Sequence, residues 1–107
     1  MTKVTFAKKD GLYSGFHLVG HAGYNLKGPD ILCSAISMGA QMTELGLRKV
    51  SKIETIIHEN DGEFSVFIKG KDCSNEGAQI LIETLCLSLQ TLEAQYPAFI
   101  KVNVVGE

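Results

Sequence analysis

Apolar positions repeat every second residue at the start of the chain, then every three or four, and this exchange recurs to its end. Val4 and Phe6 alternate with Lys3 and Thr5, the pattern of a half-buried strand. Lys9-Asp10-Gly11 supplies turn residues, and a second strand is expected from about Leu12 to Gly20. Phe16 and Leu18 share one of its faces; His17, Val19 and His21 share the other. The period then lengthens. Leu32, Ile36, Gly39, Met42 and Leu45 predict a helix from Asp30 to about Lys49 with those five on its core stripe. Pro29 suits the boundary, and Asp30 suits the start as cap or first-turn acid. The small residues Gly39, Ala40 and Gly46 allow close packing.

Alternation returns from Lys52 to His58 and from Glu63 to Lys69, joined by an Asn60-Asp61-Gly62 hairpin turn, with Phe64, Val66 and Ile68 on the core side. Ser74 or Asn75 can cap a second helix that runs to about Tyr96, where Pro97 stops it. Ala78, Leu81, Leu85, Leu89 and Leu92 should face the core, while Ile80, Ile82, Cys86 and Leu87 widen the apolar arc. That surplus suggests a partner subunit. A last strand, Phe99 to Val105, alternates through Ile100, Val102 and Val104. The order is ββαββαβ. Without the first strand it is βαββαβ, the split arrangement of a ferredoxin-like plait. An α+β two-layer sandwich follows, with right-handed crossovers placing two helices on one face of a mostly antiparallel sheet, and the N-terminal strand added as a hairpin.

Length and composition narrow this further. At 107 residues, 45% apolar and 21% charged, the chain suits one soluble domain, residues 1–107. A net charge of −2 gives no electrostatic reason to bind nucleic acid directly. Met1 to Phe6 lacks the apolar core of a signal segment, and no stretch reads as a membrane span. Three cysteines without regular spacing fit reduced thiols and a cytoplasmic setting.

The chemistry concentrates between Gly20 and Ser37. His21 ends a strand, and Cys33 is expected in the opening turn of the first helix, just behind Gly28-Pro29-Asp30. Free N–H groups and the helix dipole favour a thiolate there, and an imidazole can take its proton. The intervening loop, Ala22 to Pro29, has Gly23 and Gly28 as hinges and Tyr24 and Leu26 as apolar contacts. It could close over a substrate or serve as a slack connection. Ser37 lies one turn after Cys33, either near the thiol or as a small packing residue. Taken singly, Cys33 is a small buried residue, His21 a surface one and Asp30 a helix cap. A metal trio of His17, His21 and Cys33 lacks a fourth ligand at familiar spacing. No Walker loop, nucleophile elbow or paired-carboxylate motif is present, so neither metal nor cofactor is called for.

Gly20-His21-Ala22-Gly23, Gly28, Asp30-Ile31-Leu32-Cys33 and Ser37 together resemble the bacterial ribosomal-processing cysteine protease family, Prp. Ser34 is a mild departure, since small residues such as alanine are common there. The resemblance implies a catalytic pair of His21 and Cys33, with Asp30 important as cap or as orienter of the histidine or loop. It also implies a homodimer whose substrate is the N-terminal extension of large-subunit ribosomal protein L-twenty-seven, cleaved after paired phenylalanines. Backbone N–H groups at the helix start are the expected oxyanion donors. The alternative from another class is a non-enzymatic dimeric binding module, a ribosome-associated factor in which Cys33 is merely buried.

Overall fold

β1 (Thr2–Lys9) and β2 (Leu12–Val19) pair antiparallel through the tight turn at Asp10 and Gly11. Both turn residues have positive φ, 55° and 80°, as a two-residue hairpin that follows the strand twist requires. The computed structural model describes residues 1–20 and 27–107, the first four of the second segment as backbone. After α1 (Lys27–Leu45) the helix continues as a π turn over Gly46–Val50. β3 (Thr55–Asn60) and β4 (Glu63–Ile68) form the expected hairpin around Asp61 and Gly62. A short 3-10 turn, Gly70–Asp72, leads to α2 (Glu76–Gln95), and β5 (Ile100–Gly106) follows.

The five strands lie in the order β3-β4-β2-β1-β5. The two-layer α+β reading holds, and β1 takes a place inside the plait. It sits between β2 and β5 and pairs with β5 in parallel, while the other pairings are antiparallel. Val4, Phe6, Phe16, Leu18, Val66 and Ile68 fall on one face by strand alternation, and all are buried under the helices. The opposite face carries Thr5, His17, Ser65 and His58 in one register row.

α2 follows its sequence closely. The Asn75 side chain accepts from Ala78 N–H at 2.9 Å, and the helix stops before Pro97. Its core face is Ala78, Ile82, Leu85, Cys86 and Leu89, so Ile82 and Cys86 belong to the core and not to the surplus. Leu81 and Leu92 are only partly buried, and Ile80 and Leu87 remain exposed.

α1 corrects the sequence reading at both ends and along its stripe. It starts at Lys27, three residues before Asp30, with Gly28 and Pro29 in its first turn. Proline is tolerated there because the first N–H groups have no intrahelical acceptor. Gly28 is therefore helical and no loop hinge. The buried line is Leu32, Ile36, Ala40, Thr43 and Leu47, while Met42 and Leu45 are exposed. The register of burial follows the sheet beneath, and the π turn inserts one extra residue before Ser51, whose N–H donates to Gly46 O at 2.8 Å. Gly39 and Gly46 serve close packing: a Cβ there would come within 3.2 Å of Leu85 and 3.1 Å of Leu81. Glu44 is buried. Arg48 donates to it through Nε at 2.9 Å and Nη2 at 3.2 Å, and the Thr55 hydroxyl donates at 2.8 Å. These bonds tie the π turn to β3.

Candidate functional site

The end of β2, the second turn of α1 and the β3–β4 turn converge on one recess. Gly20 closes β2 with φ of +89°, and a Cβ built on it would lie 2.6 Å from the carbonyl oxygen of Met1. Only glycine fits this close backbone approach. The Gly20 N–H donates to Gly62 O at 2.8 Å, which fixes the strand end against the hairpin turn. Cys33 and Ser37 look into this recess from consecutive turns of α1. Its volume is about 180 Å³, and Thr2, Glu59, Glu63 and Phe64 complete the wall.

Cys33 is half-buried and packs against the core, whereas Ser37 is exposed. The two therefore share one cavity, as their spacing suggests. Cys33 is the seventh residue of α1, so it stands beyond the opening turn expected for it. The first four N–H groups, those without intrahelical acceptors, lie ahead of it. The dipole also acts most strongly within the first turn, so helix-start N–H groups are not the natural surroundings of this thiol. Asp30 is the fourth residue of α1 and sits within its first turn, not ahead of it as a cap. His21, Gly23 and Tyr24 lie outside the described residues.

The remaining candidates fall elsewhere. His17 is on the open face of the sheet, its Nε2 3.6 Å from the Glu63 carboxylate, whereas Cys33 lies on the helix side. Strand alternation thus separates His17 from Cys33. None of the three cysteines is in a disulfide. Cys73 and Cys86 are buried in the core, and desolvation pushes both thiols up from their ordinary value. Both are therefore poor nucleophiles. Cys33, by contrast, lines the recess.

Sequence reasoning missed Thr2 and the hairpin residues Glu59 and Glu63. Extending the Val4-Phe6 alternation back by one step puts Thr2 on the helix face, and that signal was available. The hairpin's contribution depends on strand order, which local periodicity does not contain. A second recess of about 480 Å³ adjoins the first through Glu59 and Phe64, and Met38, Met42, Leu45 and Ile57 line it. The methionines left off the core stripe therefore border the cavity.

Residues 1–101 match the family described as Cysteine protease Prp. The ribosomal processing cysteine protease Prp of Staphylococcus aureus is 33% identical over 87 residues, which span 78% of this chain and 79% of that protein. The crystal structure of an essential S. aureus ribosomal processing protease Prp with a covalently linked product peptide superposes with a TM-score of 0.88 at 27% identity, covering 98% of this chain and 100% of that one. A Streptococcus mutans protein, SMU.848, gives a TM-score of 0.87 at 25% identity over 100% of this chain and 96% of its own. These findings decide between enzyme and non-enzymatic module. The chain belongs to the cysteine protease Prp family, and it is a cysteine protease.

Proposed function

We propose that Cys33 is the nucleophile, with His21 as its base. Cys33 attacks a peptide carbonyl while His21 accepts the thiol proton. His21 then protonates the leaving amine, and water hydrolyses the thioester. Asp30 and Ser37 support the pair. The observation that carries this reading is the half-buried Cys33 thiol at a cavity, set against two cysteines sealed in the core. The substrate we assign is the N-terminal extension of a large-subunit ribosomal protein, L-twenty-seven, in keeping with the ribosomal processing named for the S. aureus relative. The recess along Met38, Met42, Leu45 and Ile57 suits the paired phenylalanines of that extension, because flexible thioethers adapt to aromatic rings.

We place this activity in the cytoplasm, in a homodimer. Ile80 and Leu87, exposed one above the other on α2, support the dimer. Mass spectrometry of a peptide spanning the L-twenty-seven extension should show cleavage by the wild type and none by Cys33→Ala. Cleavage by a contaminant-free Cys33→Ala protein would overturn the nucleophile. Light scattering at micromolar concentration should give twice the chain mass, and a monomer would overturn the dimer.

A further inference from the structure

Thr2 has 3% of its surface exposed, and its hydroxyl is buried without a hydrogen-bond partner. Among the described residues no other buried side-chain oxygen or nitrogen is orphaned in this way. Thr2 shares the helix face of β1 with Val4 and Phe6, both sealed in the core. Its backbone is tied to the last strand: its N–H donates to Phe99 O at 2.9 Å, and it registers with Ile100. Thr2 is among the residues that line the same cavity as Cys33 and Ser37. A buried hydroxyl without a partner destabilises a fold, whereas valine fills the same space without that cost.

We infer that the Thr2 hydroxyl is a substrate-contact residue that hydrogen-bonds the backbone of the peptide bound beside Cys33, a role that rests on the assignment of Cys33 above. A hydroxyl can donate to a peptide carbonyl or accept from an amide, and an extended peptide presents both. Leu18 and Ile36 are apolar members of the same lining. Beside them Thr2 gives the wall a polar anchor that reads main chain and not side chain. The partner missing from the free protein arrives with the substrate.

Thr2→Val and Thr2→Ser test this with the L-twenty-seven peptide. Thr2→Val should lower kcat/KM about tenfold, the size of one ordinary hydrogen bond, mainly through KM. Thr2→Ser, which keeps the hydroxyl, should stay near the wild type. The unfolding midpoint of Thr2→Val should be no lower than that of the wild type, because no internal bond is lost. Unchanged kcat/KM in Thr2→Val overturns the proposal, and so does a loss in kcat alone or an equal loss in both variants. If the wild type leaves the peptide intact, the substrate assignment fails and the midpoint decides the premise: a destabilised Thr2→Val shows that the hydroxyl has a partner within the fold, and ends the idea.

Discussion

α2 begins at a capping asparagine, stops at a proline and buries an almost regular stripe. α1 starts earlier than its punctuation suggests, ends in a π turn and leaves Met38, Met42 and Leu45 exposed. The two helices cover the same sheet, yet only α1 borders the cavity. Local rules are obeyed where a helix has only to pack. They are broken where it must also present a thiol and an apolar recess, and π turns are frequent at such places.

Substitutions that separate packing from chemistry sharpen this contrast. Cys33→Ala should lower peptide cleavage at least about a thousandfold with the unfolding midpoint unchanged, and Cys33→Ser should be nearly as inactive because a hydroxyl ionises far less readily. A double Cys33→Ala, His21→Ala protein should be scarcely worse, which kinetics of all three variants would reveal. Ile82→Ala on α2 should cost about 2–5 kcal/mol in urea unfolding while leaving turnover per folded molecule intact. Met42→Ala on α1 should do the reverse, changing stability by about 0.5 kcal/mol or less while weakening peptide binding. A Met42→Ala protein with unaltered KM would break the comparison.

Smaller effects follow at the helix ends. Asn75→Ala should cost about 1 kcal/mol through the lost cap, with cleavage unaffected. The Arg48 guanidinium, with help from Thr55, holds the Glu44 carboxyl below its ordinary 4.5. That contribution to stability is complete above the ordinary value and fades as pH falls through the lowered one. Glu44→Gln should therefore flatten the acid limb of a stability profile. An unchanged limb would show that the π turn does not depend on this pair.

The elements themselves were legible because alternation and three-to-four spacing are local. Asn75, Pro97, Asp10-Gly11 and the Asp61-Gly62 turn all stood where their chemistry placed them. The N-terminus of α1 is not legible because Pro29 marks a first turn as readily as a boundary. Its stripe is not legible because Ala40 and Thr43, less apolar than Met42 and Leu45, are the buried positions. Tertiary packing overrode hydropathy there. Cys33 and Ser37 could be paired from spacing alone, whereas Thr2, Glu59 and Glu63 join them only through strand order.

The position of β1 sets the order in which the enzyme can be completed during synthesis. β1 is made first, yet one of its two neighbours, β5, is the last strand to be made. The Thr2 N–H finds its acceptor on Phe99, so this end of β1 stays unpaired on that side until residues 99–106 have left the ribosomal tunnel. Closing so long a loop also makes this pairing a late folding event. A nascent chain can thus form the β1–β2 hairpin and fold α1 while the Thr2 wall of its cavity still lacks the final strand.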